Sequence, residues 1–170
     1  MKRDILIFPK FKNIAKIQEI RDKYDPLAKA VLPHITIVFP FSDEMSDEKI
    51  LQKVQESLKG FKAFNITFEG LSLYYDEFYA KKNVIFLNCI EGKEEIIKLH
   101  DILYKEIFAS HLDTRFEYTP HITLGNVDNL DNIHLNDKFE YFVDELTLEG
   151  IGKDDSSIIL GTIKLRQKKR

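Results

Sequence analysis

"LPHITIVFP" occupies residues 32–40, and "YTPHITLGN" occupies residues 118–126. Both contain Pro-His-Ile-Thr, at 33–36 and again at 120–123, an offset of 87. At average residue usage, a chance second copy in a chain this short is roughly a one-in-a-thousand event. Two further words repeat in the same order. "ITFEGL" at 66–71 matches "LTLEGI" at 146–151, and "VIFLNCI" at 84–90 aligns loosely with "SIILGTI" at 157–163. Each half thus reads as helix, His-x-Thr strand, Glu-Gly strand, apolar strand. The repeats predict an internal duplication, with two similar lobes packed about an approximate twofold axis.

The intervening segments have clear periodicities. "RDILIFP" (3–9) is an apolar run closed by proline and predicts a buried strand. Ile14, Ile17 and Ile20 recur every three residues in 12–24, one face of a helix that Asp25-Pro26 ends. Capping serines and acidic residues precede Ile50, Val54 and Leu58, and Gly60 closes that second helix. "FNITFEGLSLYY" (64–75) predicts a strand bent at Gly70. The clearest helix runs from Gly92 to about residue 110, with a stripe of Ile96, Leu99, Leu103 and Ile107 widened by Ile102. A polar loop follows the second His-x-Thr strand. "YFVDELTLEGI" (141–151) and "SIILGTIKL" (157–165) read as two closing strands. The fold class expected is α+β, with mostly antiparallel sheets, helices packed outside and a central groove. Residues 1–170 are expected to form one domain of two pseudo-symmetric lobes, about 1–90 and 91–170, with strands that can exchange between lobes.

Composition narrows the function. The 170 residues are 44% hydrophobic and 31% charged, ordinary for a chain that can bury a sizeable core. A net charge of −3 argues against coating nucleic acid through bulk electrostatics and leaves room for a local site that takes one phosphate. The terminal "RQKKR" reads as a solvated basic end. The single cysteine, Cys89, lies in an apolar run and has no internal disulfide partner. The apolar stretch after the N-terminal basic residues is too short for a signal peptide, and no segment is long enough to span a bilayer. A cytoplasmic protein is expected.

Side chains alternate along a strand. His34 and Thr36 therefore share one face and Ile35 and Ile37 the other; His121 and Thr123 repeat this against Ile122 and Leu124. The isoleucine faces need a core, and the His/Thr faces form polar strips that a twofold arrangement can set across a groove. Two imidazoles suit coupled proton transfer, because one ring can be neutral while the other is charged near neutral pH. The neutral ring takes a proton from a nucleophile and the charged ring gives one to a leaving group. The threonine hydroxyls can hydrogen-bond non-bridging phosphate oxygens, whose charge grows in the transition state. Transfer at a phosphodiester needs these parts and, in this form, no metal.

This pair of His-x-Thr-hydrophobic motifs on duplicated lobes resembles the 2H phosphoesterase superfamily, which includes 2′-5′ RNA ligase-like proteins and cyclic phosphodiesterases. The resemblance spans roughly residues 3–165. It implies that His34 and His121 are the catalytic acid/base pair and that Thr36 and Thr123 orient the phosphate. It further implies opening of a cyclic phosphodiester, such as a 2′,3′-cyclic phosphate on a nucleotide or RNA end, with a 2′-5′ ligase-type reverse reaction. The implied partner is a nucleotide or an RNA with a cyclic phosphate or 3′ end; no DNA, membrane, metal or cofactor is expected. The alternative is a non-catalytic module of the same fold that binds a nucleotide or RNA end.

Other residues have ordinary explanations. A lone strand histidine is usually structural, and threonine is common in strands because it is β-branched. His100 is expected at a helix boundary, His111 near a helix C-terminus and His134 in a loop. Glu69 and Glu149 could be catalytic carboxylates, although strand ends before a turn glycine explain them equally well. Lys81, Lys82 and Arg115 are basic candidates, and Tyr74, Tyr75 and Tyr79 could stack on a base, but sequence does not place them in the groove.

Overall fold

The computed structural model describes residues 1–167. Eight strands form one open, curled antiparallel sheet. They are β1 (Lys2–Ile7), β2 (Ile35–Phe41), β3 (Phe64–Tyr75), β4 (Asn83–Glu91), β5 (His121–Asn126), β6 (Phe139–Val143), β7 (Glu145–Ile151) and β8 (Ser157–Lys164). Three helices accompany them: α1 (Ala15–Tyr24), α2 (Asp47–Ser57) and α3 (Lys93–Lys105). Across the sheet the order is β6-β3-β4-β5-β2-β1-β7-β8. The two His-x-Thr strands are the central pair.

The helices cover one face of the sheet, and the core lies between them. Ile35, Ile37, Ile122 and Leu124 are fully buried there with Ile17, Ile50, Val54, Ile96, Leu99 and Leu103 from the helices. Ser46 caps α2 by accepting a hydrogen bond from the Lys49 amide at 3.2 Å, as the sequence signal implies. Gly125 has φ +130°, and an added Cβ would stand 2.3 Å from the Tyr24 carbonyl carbon. Only glycine lets the end of α1 sit this close to β5.

Three local expectations change. "YFVDELTLEGI" is two strands rather than one: the chain breaks at Asp144, whose carbonyl accepts from the Leu165 amide at 2.9 Å. β6 then pairs with β3 while β7 pairs with β1, on opposite sides of the sheet. α3 stops at Lys105, short of the expected end. The expected tail "RQKKR" is only partly a free end. The Arg166 backbone bonds to Phe61 and Ala63 at 2.8 Å each, while residues 168–170 lie outside the described residues. The bend at Gly70 is present: its φ is +87°, and the register with β4 shifts between Phe68 and Leu71.

The apolar words 84–90 and 157–163 do not hold matching sheet positions. β4 lies beside β5, whereas β8 is an edge strand; the strand beside β2 is β1. Leu6 pairs with Thr36 as Phe86 pairs with Thr123, so β1 is the positional counterpart of β4.

Candidate active site

β2 and β5 meet at one register pair, Ile35 opposite Ile122. These residues are 87 apart, the same offset that separates the two motifs. A local twofold axis through that pair exchanges His34 with His121 and Thr36 with Thr123. His34 then lies across from Thr123, and Thr36 across from His121. The two histidines are diagonal neighbours, with Cα atoms about 7–8 Å apart by strand geometry. Burial alternates as the pattern predicts: Ile35 and Ile122 are fully buried, while His34, Thr36, His121 and Thr123 are half-buried. All four candidate residues therefore come together on the face opposite the helices.

Each imidazole is held in the same way. His34 Nδ1 contacts the Leu32 carbonyl at 2.8 Å, and His121 Nδ1 contacts the Thr119 carbonyl at 2.7 Å. A carbonyl oxygen only accepts, so Nδ1 carries the proton in both rings. Nε2 is then the lone-pair nitrogen of each neutral ring. Among the described residues, the protein's hydrogen bonds engage neither Nε2 nor the hydroxyl of Thr36 or Thr123. Burial pushes both histidines below the usual imidazole range, His121 to about 4, and the nearby His34 adds to that shift. Both rings are therefore neutral at neutral pH before a ligand arrives.

The loops leading into the strands are tied down. Buried Arg21 of α1 bonds to the Asp25 carboxylate at 3.0 Å and to the Val31 carbonyl at 2.8 Å, holding the segment before His34. On the other side, the Tyr118 hydroxyl donates to the Thr36 carbonyl at 2.6 Å, and the His100 ring stacks on Tyr118 at 3.9 Å. His100 is thus a buried structural residue. His111 packs on Phe41, and His134 is exposed in its loop.

Surroundings differ between the two histidines. Phe86 stacks on His121 with ring centroids 3.5 Å apart, and Tyr74 stacks on Phe86 at 5.1 Å. Tyr74 therefore belongs to the groove wall. His34 meets Phe8 edge-on at 6.2 Å and has the buried pair Asp4 and Glu149 further along its side. Tyr79 and Arg115 are engaged with Asp113 in a cluster with Phe78 and Phe116. Lys81, Lys82 and Tyr75 are exposed, and Glu69 is half-buried. Cys89 faces the core, its thiol is pushed up to about 12 by burial, and it has no part in the groove. Among the described residues, no group of three or more His, Cys, Asp or Glu side chains is spaced to hold a metal ion. Sequence reasoning missed Phe86, Tyr118, Arg21 and Asp4. Only Asp4 left a signal, a carboxylate at the head of the apolar run "ILIF".

The family model described as the 2′-5′ RNA ligase superfamily matches residues 9–151. The chain belongs to that superfamily, and its class is that of a phosphoesterase or RNA-ligase-type enzyme. A Geobacillus kaustophilus protein named among the phosphoesterases is 30% identical over 125 residues, 74% of this chain and 69% of that one. A Bacillus licheniformis protein of similar name is 25% identical over 169 residues, 98% of this chain and 81% of that one. The fold matches E. coli LigT, solved with 3′-AMP, at a TM-score of 0.72 and 20% identity, covering 98% of each chain. It also matches TT0787 of Thermus thermophilus at 0.67 and 16%, covering 99% and 100%. No helix among the described residues is long and apolar enough to cross a membrane.

Proposed function

We propose that the protein is a metal-independent phosphoesterase that opens a cyclic phosphodiester, such as a 2′,3′-cyclic phosphate on a nucleotide or RNA end. His34 and His121 act as the acid/base pair, and Thr36 and Thr123 hold the phosphate. The observation that carries this is the single Ile35–Ile122 register pair, flanked by two imidazoles each pinned through Nδ1. One Nε2 takes a proton from water as the water oxygen bonds to phosphorus. The other Nε2–H gives a proton to the ribose oxygen as its bond to phosphorus breaks. The threonine hydroxyls donate to the non-bridging oxygens.

Both rings are neutral at rest, so one must be charged before the reaction. A phosphodiester anion entering the groove favours imidazolium and opposes the desolvation that keeps the rings neutral. With an RNA 5′-hydroxyl in place of water as the nucleophile, the new P–O bond forms as the ring P–O3′ bond breaks and the 3′-oxygen takes the proton, leaving a 2′-5′ linkage without ATP. The nucleotides bound in the LigT structures support a nucleotide or RNA-end ligand here. We read the chain as one domain of two pseudo-symmetric lobes, with the pairs β3–β4 and β7–β8 exchanged between them.

The test is hydrolysis of 2′,3′-cyclic nucleotides and cyclic-phosphate-ended RNA oligomers with EDTA present. Wild type should turn over, and His34→Ala and His121→Ala should each lose about 100-fold or more. Full activity in either variant would overturn the pair mechanism. Folded wild-type protein that binds these ligands without turnover would favour the non-catalytic module.

A further inference from the structure

The local twofold axis relates the backbones around the two histidines, but the side chains behind them differ. From His121, the diagonal across the groove face runs to Phe86 and then Tyr74, three stacked rings. From His34, the corresponding positions are Leu6 and then Glu149, because Leu6 matches Phe86 and the Asp4–Glu149 pair matches Val84–Tyr74. An aromatic wall on one side is thus replaced by a carboxyl pair on the other.

That pair is buried and tightly held. Asp4 is 6% exposed and Glu149 3%. Ser157 Oγ donates a short hydrogen bond to Glu149 Oε2. Asp4 Oδ1 is buried without a partner, as two facing carboxylates would require. A proton retained on Asp4 resolves this by giving that carboxyl a donor toward Glu149. Consistently, burial first and Glu149 second push Asp4 up to about 9. Only Glu149 of the two carboxyls receives a hydroxyl donor, from Ser157, so the charge the pair keeps is held on the Glu149 side.

We infer that Glu149, held by Ser157 and sharing a proton with Asp4, makes His34 the proton donor of the reaction and leaves His121 as the base. This rests on the two-histidine reading above. In the forward step, His121 Nε2 takes the water proton while His34 Nε2–H protonates the leaving ribose oxygen. The phosphorus–water bond forms as the ring P–O bond breaks, and solvent resets both rings. Glu149 acts through His34 and is a positioning residue.

The other groups facing His34 do not replace it. The Leu32 carbonyl has a counterpart at His121, in the Thr119 carbonyl, and so creates no asymmetry. Arg21 and Asp25 act on His34 in opposite senses and are paired with each other at 3.0 Å. Phe8 has no charge, and His121 disfavours a second charge on either ring. Glu149 is a buried carboxylate whose charge favours imidazolium at His34, and the positions that match Asp4 and Glu149 on the His121 side hold Val84 and Tyr74.

The test combines histidine NMR titration with kcat against pH. In wild type, His34 should titrate above His121. The double variant Asp4→Asn/Glu149→Gln removes the charge while keeping the shape. It should lower the His34 midpoint by roughly half a pH unit or more and shift the basic limb of kcat by the same amount. Glu149→Asp keeps the charge and should restore the limb toward wild type. Wild-type His121 titrating above His34 would overturn the assignment, as would a His34 midpoint unmoved in the folded double variant. The titrations need no turnover, so absence of activity on cyclic phosphodiesters would count against the function alone.

Discussion

His121 should make the protein sensitive to mild acid in a way that can be calculated. Its folded-state pKa is about 4 against an ordinary value of 6.5, chiefly because burial disfavours the charged ring. A base whose pKa falls on folding binds its proton more readily when unfolded. Its contribution to stability is therefore present above about pH 6.5 and is lost as pH falls through the folded value. Between about pH 7 and pH 4.5 the loss attributable to this ring is about 2 kcal/mol. Carboxylates titrate in the same window, so the measurement is a difference. Urea unfolding of wild type and His121→Gln would be compared at both pH values. The substitution should narrow the acid loss by about 2 kcal/mol, since glutamine has no proton to gain. A saturating phosphate analogue should narrow it in wild type as well, because the anion stabilises the charged ring. Equal acid losses in wild type and His121→Gln would refute the claim that this ring is held neutral by its groove.

Three further outcomes follow from burial and packing. Arg21→Met should cost about 3–5 kcal/mol in urea unfolding, because Asp25 and the Val31 carbonyl lose their buried partner; a loss under about 1 kcal/mol would show the ion pair to be dispensable. Asp4→Asn should stabilise the protein increasingly as pH rises from about 4 toward 9. Asp4 is raised from 3.8 to about 9, so the wild-type fold must keep a proton that the unfolded chain releases, and a pH-independent difference would count against this. Gly125→Ala should destabilise by roughly 2–4 kcal/mol, with strain at φ +130° added to the clash with Tyr24; a neutral change in melting temperature would show that α1 can move away.

Much of the fold was legible because its main elements obey simple periods. The helix stripes at Ile17, at Ile50 and Val54, and at Ile96, Leu99 and Leu103 are the buried faces seen in the structure. The break at Asp144 was hard to read, because its local trace is a one-residue slip of the apolar period between Val143 and Leu146, which a bulge in one strand would give as well. What divides it is the destination of each half, β3 for one and β1 for the other, and pairing partners leave no local trace. The same holds for the repeated apolar words. Composition makes β4 and β8 alike, while strand order makes β4 the counterpart of β1.

Repetition revealed the candidate site, but it also hid the site's asymmetry. The matched words drew attention to His34, Thr36, His121 and Thr123, which the structure gathers at the central seam. A repeat emphasises what the halves share, and so obscures what differs between them. Phe86 and Leu6 occupy equivalent sheet positions, as do Tyr74 and Glu149, yet the matched words align neither pair. Glu149 instead matches Glu69 in sequence, and the bulge at Gly70 lets Tyr74 take the equivalent place on β3. A hydrolytic step through two like groups requires them to be unlike at the moment of reaction. A perfectly symmetric groove would leave the proton equally shared between two rings that burial already keeps neutral. An aromatic wall behind one ring and a single buried charge behind the other provide that difference before any substrate binds.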